Sequence, residues 1–504
     1  MGSAQSKAPE QTSEEKLLER LRMIRLQDAG STGDYISVDR GDPPAYSPRI
    51  TSLSISAAEQ WEKELLEDPK NRLALAALSS NAANDVLRSR AVTISDAQNF
   101  NIKIPFEGSP VTNQRSSGRC WLFAATNVFR VAIMQRYKLK EFELSQAYLF
   151  FWDKLEKANY FLENVLETVE EPLDGRLVQE LLSSPVGDGG QWDMVANLVQ
   201  KYGLIPQSLY PDSFNAMNSS AMNGLITSKL REDGIRLRAM SQSKDPSVRS
   251  SISATKDTML REIHLILTVM LGPPPSPTAT FTWEYHDKDG AFQSLKATPK
   301  DFSKQLSDSK AVRACAGTDV HKLFSLVNDP RNEYGRLLTV NRLGNVHGGR
   351  PITYVNVDMA TMKAAVVKMI QRGIPVFFGS DVGKYSDSRK GIMDTALYDY
   401  ELGFNVQLGL TKAERLMTRE SAMTHAMVLT GVHVVEGKAV RWRVENSWSE
   451  TAGEKGYFVM SDAWMNEFVY QAVVDPAFVS EEVKKVLGQT PKVLNLWDPM
   501  GALA

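Results

Sequence analysis

The feature that most constrains this chain is an abrupt change from a polar loop to an apolar run at Cys120. The loop 110–119 contains Gly, Ser, Asn and Gln, whereas residues 121–133 are apolar nearly all round. Such a run predicts a helix buried on every side, in the core of a sizeable domain. Unpaired N–H groups and the positive end of the helix dipole favour an anion at its first turn. The thiol of Cys120 is therefore predicted to be biased towards thiolate and to act as a nucleophile, against the alternative of a packed core cysteine.

The composition allows a large core and excludes several classes of protein. The chain has 504 residues, of which 42% are hydrophobic and 23% charged. These values are typical of globular proteins and exclude collagen, coiled coil and wholesale disorder. The length fits three domains or one large domain with insertions. With 58 basic and 60 acidic residues the net charge is −2, which gives no reason to expect a nucleic-acid or anionic-membrane protein.

The two cysteines, Cys120 and Cys315, exclude a disulfide framework and indicate a reducing compartment. Cys315 follows no loop of the kind that precedes Cys120, so a packed core thiol is the favoured interpretation there. No run reaches the 18 apolar residues of a spanning helix, and the N-terminus lacks the pattern of a secretory signal or transit peptide. We therefore predict a cytoplasmic protein without a transmembrane segment.

The first residues, Met-Gly-Ser-Ala-Gln-Ser, match the N-myristoylation pattern, in which Gly2 is acylated. The alternative is an ordinary mobile tail or a cloning remnant. A single myristoyl chain gives only weak membrane association. Residues 1–50 are predicted to be a poorly packed extension, with a linker rich in Gly, Ser, Asp and Pro at its end.

A second chemically suggestive segment begins at His425. Residues 426–435 predict a strand, residues 436–437 a turn, and the chain then returns as a strand to Asn446. In that hairpin His425 lies opposite Trp448, and Asn446 lies two residues away on the same face, within side-chain reach. A slip of one residue in the register would separate them.

Together these side chains form a predicted peptidase site. The Asn446 amide oxygen would fix the tautomer and orientation of His425, whose other nitrogen would share a proton with Cys120. Trp448 would cover that hydrogen bond from water. The amide of Gln114 and the backbone N–H of Cys120 would form an oxyanion hole. Taken singly, Gln114 and Asn446 are ordinary loop residues. The prediction depends on their occurring together with Cys120 and His425.

These segments resemble the papain-like cysteine peptidases and, among them, the bleomycin hydrolase family. The matching segments are Gln-Arg-Ser-Ser-Gly-Arg-Cys-Trp at 114–121, Thr-His-Ala-Met at 424–427 and Glu-Asn-Ser-Trp at 445–448. In Gly-Asp-Gly-Gly-Gln-Trp at 187–192, Gly189 and Gly190 resemble the pair that hydrogen-bonds a substrate backbone. The resemblance covers about residues 55–504. It implies an α+β papain-like fold with a helical half and a β-barrel half, and a cysteine aminopeptidase that acts on peptides without metal or cofactor.

The spacing of the predicted site implies an insertion. His425 follows Cys120 by 305 residues, whereas compact papain-like enzymes need about 130 to 150. The predicted order is an N-terminal extension at 1–50, the helical half at 51–214, a helical and hook insertion at 215–350, the β-barrel half at 351–480 and a C-terminal arm at 481–504. The resemblance implies that such an insertion assembles subunits into a homohexamer.

The end of the chain also resembles the family, whose C-terminal arm lies in the active-site cleft. The free carboxylate of Ala504 would then meet the α-ammonium group of a substrate and make the enzyme an aminopeptidase. The alternative is a frayed tail.

Two other functions stay open at this stage. A Cys-His pair also serves acyltransferases. Residues 229–262 hold eight basic and five acidic residues, and this surplus fits either a solvated helical face or weak nucleic-acid binding, which is associated with some family members. In the second case the chain would be a nucleic-acid-binding protein with secondary peptidase activity.

Overall fold

The computed structural model describes residues 53–304, 319 and 321–502. The chain divides into two compact units, Met1–Ser80 and Asn81–Ala504. The described part of the first unit holds two helices, Ile55–Glu67 and Pro69–Leu78, which the side chains of Ser54 and Asp68 cap. The break between the two helices falls at Pro69, since proline has no N–H to donate and fits only the first turn of a helix.

The helices of the second unit include the long elements around the predicted nucleophile. Within the described residues they are Ala83–Val86, Arg90–Ser95, Cys120–Arg136, Gln146–Glu167, Arg176–Ser183, Trp192–Tyr202, Phe214–Met217, Ser220–Ser241, Pro246–Ser250, Ile252–Leu271, Pro299–Lys304, Met359–Gln371, Tyr400–Phe404, Lys412–Met417, Asp462–Phe468 and Glu481–Val486. Three short 3-10 turns lie at Gln207–Leu209, Pro476–Phe478 and Pro499–Gly501. The predicted helix at Cys120 is confirmed, and every residue from Cys120 to Met134 is buried.

The described part of the predicted helical and hook insertion has its long helices in its first part. Ser220–Ser241 and Ile252–Leu271 pack against Gln146–Glu167. A hairpin of Phe281–His286 and Phe292–Ala297 follows. Strand Phe324–Val327 is buried throughout and has four residues, the shortest run over which alternation of apolar and polar side chains indicates a strand. The chain therefore rejoins the main sheet before residue 350.

The main sheet has twelve strands among the described residues and places His425 near its centre. Across the sheet the strands run in the order Lys492–Leu494, Arg336–Val340, Tyr354–Asn356, Phe324–Val327, Val469–Val474, Val376–Ser380, His425–Val435, Lys438–Glu445, Tyr457–Ser461, Ile392–Met393 and Ser386–Asp387. Strand Ile102–Lys103 also pairs with His425–Val435. The strand that begins at His425 is thus held on both sides, which fixes the position of the imidazole.

The hairpin has the predicted register at both ends. Val435 lies opposite Lys438, and Val428 lies opposite Glu445. Between them the register shifts twice, at 429/431 and at 433/434, and the second shift cancels the first. The pairing that brings Asn446 to His425 therefore survives two irregularities that the sequence pattern did not show.

Two apolar cores support the sheet and the helices. One is built mainly on the helices and includes Trp121 and Trp192, and the other lies mainly on the sheet and includes Trp442. The Trp192 ring contacts the edges of Phe129 and Phe377, at 5.7 and 5.4 Å between ring centroids. No helix in the described part of the chain combines the length and apolar character needed to cross a membrane.

Candidate active site

The backbone turn before Cys120 is held by a buried arginine. Arg119 occupies the N-cap position of the helix without a capping side-chain bond. Its guanidinium donates to both carboxylate oxygens of Asp212, at 2.6 and 3.1 Å, and lies over the rings of Phe123 and Phe150. The first N–H groups of the helix therefore stay directed at the thiol region.

His425 and Asn446 form the hydrogen bond that the hairpin register predicts. The distance between His425 Nε2 and Asn446 Oδ1 is 2.9 Å, and both side chains are buried. Asn446 Oδ1 also accepts the backbone N–H of Ser447 at 2.8 Å, which identifies this atom as the oxygen. His425 Nε2 is therefore the protonated nitrogen, and Nδ1 carries the lone pair.

Trp448 lies beside this pair. Its ring centroid is 4.8 Å from that of the imidazole, with the two planes inclined by 32°, and 5.9 Å from that of Phe458 in an edge-to-face contact. The indole thus covers one side of the imidazole.

Cys120 reaches the start of the His425 strand, where burial and backbone donors act against each other. Burial raises the pKa of the Cys120 thiol to about 11, although the N–H groups of Ala426, Trp121 and Cys120 itself lower it. Burial also lowers the pKa of His425 to about 4, although the hydrogen bond that His425 donates to Asn446 raises it. Burial therefore opposes a charge on either group alone, whereas the helix N–H groups favour the thiolate, and a thiolate at Cys120 stays a prediction.

Gln114 links the nucleophile loop to the Asn446 segment. Its Nε2 donates to the carbonyl of Ser117 at 2.7 Å, and its Oε1 accepts the Ser447 hydroxyl at 2.8 Å. Its backbone N–H donates to the Ser447 carbonyl at 2.9 Å. The amide has two N–H groups and one is bonded to Ser117, so its role towards an oxyanion stays a prediction.

The two glycines lie next to the nucleophile helix. A Cβ at Gly190 would stand 2.5 Å from the Trp121 ring, so no larger residue fits there without movement. The Gly189 carbonyl accepts a hydrogen bond from Lys157 Nζ at 2.6 Å. The segment that carries both glycines is therefore fixed against the start of the helix.

The C-terminal arm reaches this same segment. Gln191, directly after the glycine pair, donates through Nε2 to the carbonyl of Ala502 at 2.6 Å. Further back, Arg331 pairs with Asp498 at 2.7 Å, and the Arg176 guanidinium lies 4.4 Å from the centroid of the Trp497 ring. Ala504 lies outside the described residues, as do Gly2 and Cys315.

The sequence analysis did not predict the roles of several residues in this region. Arg119, Ser447 and the buried pair of Lys154 with Asp188 have structural partners that are far away in the sequence. Arg119, Asp188 and Ser447 each stand inside a quoted motif, which was the available signal, whereas Lys154 lies in none of them. No group of three or more His, Cys, Asp or Glu side chains arranged to hold a metal occurs in the part of the chain described here.

The Peptidase C1-like family model matches residues 52–501. The chain belongs to this family. It is 44% identical over 474 residues to human bleomycin hydrolase, covering 91% of this chain and 99% of that protein. It is 44% identical over 464 residues to "Cysteine proteinase 1, mitochondrial" of Saccharomyces cerevisiae, covering 90% and 93% of the two chains.

The crystal structure of PepW from Lactobacillus rhamnosis superposes with a TM-score of 0.85 at 43% identity, covering 90% of this chain and 100% of that one. The predicted papain-like fold and the resemblance to bleomycin hydrolases are therefore confirmed. The chain is a papain-like cysteine peptidase of the bleomycin hydrolase type, and aminopeptidase activity fits that family.

Proposed function

We propose that this peptidase removes N-terminal residues from peptides and related amides through Cys120, His425 and Asn446. The observation that carries the proposal is the 2.9 Å hydrogen bond from His425 to Asn446, beside a cysteine at the start of a buried helix. That bond leaves the other imidazole nitrogen as a base for the thiol.

The first step is attack on the peptide carbonyl. The proton of the Cys120 thiol moves to His425 Nδ1 as the sulfur forms its bond to the carbonyl carbon. Burial disfavours each charge alone, but proton transfer creates an anion and a cation together, and their attraction offsets that cost. The backbone N–H of Ala426 stabilises the developing thiolate.

The later steps use the same groups. The Cys120 N–H and the second N–H of Gln114 stabilise the oxyanion of the tetrahedral intermediate. The imidazolium of His425 then gives its proton to the leaving amine, and an acyl-enzyme forms. Water, deprotonated by His425, attacks the thioester and releases the amino acid.

The arm supports the preference for a free N-terminus. Ala502 is bonded next to Gly189 and Gly190, the pair proposed to bind the substrate backbone, and the proposed carboxylate belongs to Ala504 only two residues further. A carboxylate in that cleft would pair with the α-ammonium group of a peptide and exclude chains that continue past it.

Removal of Ala504 tests this preference. We expect the truncated enzyme to lose at least about tenfold in kcat/KM on an aminoacyl fluorogenic amide, from loss of a charge-assisted contact of at least about 1.4 kcal/mol. Hydrolysis of the N-acetylated counterpart should not fall. The Cys120→Ala enzyme is the background control, and an unchanged preference for free N-termini would refute the carboxylate contact.

The two alternatives have less support. An acyltransferase would pass the acyl group to an added amine in preference to water, and no observation favours that outcome. In the basic stretch 229–262, Arg238 donates to the carbonyls of Thr168, Val169 and Glu171. Lys229 and Lys256 pair with carboxylates. Of these, Lys256 pairs with an acid outside the stretch and Arg238 is bonded to backbone carbonyls, so less of the basic surplus is free for nucleic acid.

Assembly and location stay proposals. The homohexamer is supported by the family resemblance alone. The cytoplasmic location is supported by the cysteine usage, while the name of the yeast relative places that protein in mitochondria. Acylation of Gly2 would add weak membrane association.

A further inference from the structure

Asp188 lies between the nucleophile loop and the glycine pair, and its carboxylate collects four donors. Oδ1 accepts from Lys154 Nζ at 2.6 Å and from Asn223 Nδ2 at 2.7 Å. Oδ2 accepts the backbone N–H of Gly118 at 2.9 Å and the hydroxyl of Ser219. One side chain therefore joins the loop before Cys120, two helices and the glycine segment.

The backbone around Asp188 is also closely packed against the nucleophile loop and helix. Its carbonyl accepts the indole N–H of Trp121 at 2.7 Å. A Cβ at Gly118 would stand 2.8 Å from the Asp188 Cβ, and a Cβ at Gly190 would overlap the Trp121 ring. The loop and the glycine segment can therefore move relative to each other only if these contacts break.

Buried cations complete the arrangement. The side chain of Lys154 is 0% exposed and that of Asp188 is 10% exposed. Burial opposes ionisation of Asp188, but the Lys154 ammonium and the hydrogen-bond donors hold the pKa of this carboxyl well below its usual range. Lys154 also donates to the Val186 carbonyl, and Lys157 donates to those of Gly187 and Gly189.

We propose that Asp188 is a positioning residue that fixes the substrate-binding glycine pair relative to Cys120. This inference rests on the proposed function of Cys120 and of the glycines. A peptide bound along Gly189 and Gly190 presents its carbonyl to the sulfur only if the two segments keep their spacing, and a misplacement of about 1 Å can cost about 10²-fold in rate.

Two double variants distinguish the effect of the hydrogen-bond acceptor at Asp188 from that of its charge. Lys154→Met with Asp188→Asn removes both charges but keeps an amide oxygen for the Gly118 N–H. Lys154→Met with Asp188→Ala removes the same charges and the acceptor as well. Neither leaves a buried charge without its partner, and thermal unfolding shows whether both are folded.

We measure kcat and KM on an aminoacyl fluorogenic amide, and the alkylation rate of Cys120 by iodoacetamide. Alkylation needs the thiol and its base but no bound peptide. We expect the Asn variant to stay within about fivefold of the wild type in kcat/KM and the Ala variant to fall about 10²-fold. The two variants should alkylate at the same rate, since both remove the Asp188 charge that raises the pKa of the Cys120 thiol. Equal turnover in the two variants would overturn the inference, as would a parallel loss of alkylation and turnover in the Ala variant.

Ser219→Ala gives the same test if the double variants do not fold, since it removes one donor to Asp188 and no charge. We expect a fall of severalfold in kcat/KM with unchanged alkylation, and unchanged kcat/KM would overturn the inference. The wild type and Cys120→Ala are measured under the same conditions as controls. Turnover that does not depend on Cys120 refutes the proposed function, whereas Cys120-dependent turnover with no effect at Asp188 or Ser219 refutes only this inference.

Discussion

Two opposing effects act on the pKa of the Cys120 thiol. The helix start supplies N–H groups that favour the anion, while burial in the closed site favours the neutral thiol and raises its pKa to about 11. His425 faces the same burial and has a pKa of about 4. The two residues therefore work as a pair, in which the proton moves between them during attack.

Asn446→Ala tests how the imidazole is held. The change removes the acceptor of the His425 Nε2–H, so we expect kcat to fall about 10²-fold as the base loses its orientation, with a smaller change in KM. Steady-state kinetics on an aminoacyl amide measure this split. Ser449→Ala is the matched control, because it removes a nearby exposed hydroxyl whose hydrogen bonds are to Thr451. An Asn446→Ala enzyme with the kcat of the wild type would contradict the assignment.

At the scale of single residues, the sequence predicts a contact when the two residues are close together in the chain. His425 and Asn446 belong to one hairpin, so a register argument brings them together. Lysine side chains are mostly exposed in proteins, yet that of Lys154, on Gln146–Glu167, is fully buried against Asp188. That pairing depends on two distant segments meeting, which no local pattern shows.

At the scale of elements, a buried ion pair joins the nucleophile helix to the strand before Asn446. Arg130 Nη2 lies 2.7 Å from Glu445 Oε1, and both side chains are almost completely buried. Arg130 also donates to the carbonyl of Pro110 at 2.6 Å. Burial raises the pKa of Glu445, and the Arg130 charge opposes this.

Arg130→Met should destabilise the protein because Glu445 would lose its partner in a buried place. We expect the free energy of unfolding to fall by about 3 to 5 kcal/mol, measured by urea unfolding. Adding Glu445→Gln removes the orphaned charge, so the double variant should recover most of that loss. A double variant no more stable than Arg130→Met would contradict the ion-pair explanation.

The order of elements was only partly predictable. The buried helix at Cys120 and the hairpin at His425 follow from strong local patterns. The strand Phe324–Val327 has four residues, so its pattern is too short to stand out, and the segment falls within the predicted insertion. Two register shifts within the hairpin also left no mark on the sequence.

At the scale of the whole molecule, the site is made where helices meet the sheet. Cys120 comes from a helix, and His425 and Asn446 come from a hairpin that begins about 300 residues later. Contacts of three kinds hold these parts together: the Arg130–Glu445 ion pair, the Gln114–Ser447 hydrogen bond and the contact of the Trp192 and Phe377 rings. The fold itself could be expected only through the family resemblance, since local patterns do not say how helices and sheet dock.

The most direct test of the account is the rate at which iodoacetamide alkylates Cys120 as a function of pH, in the wild type and in His425→Ala. If the two side chains share a proton, the wild type should react at least about tenfold faster at neutral pH. The difference should narrow as the pH rises towards about 11, where the thiol ionises without help. Equal rates in the two proteins at neutral pH would contradict the pairing of Cys120 with His425.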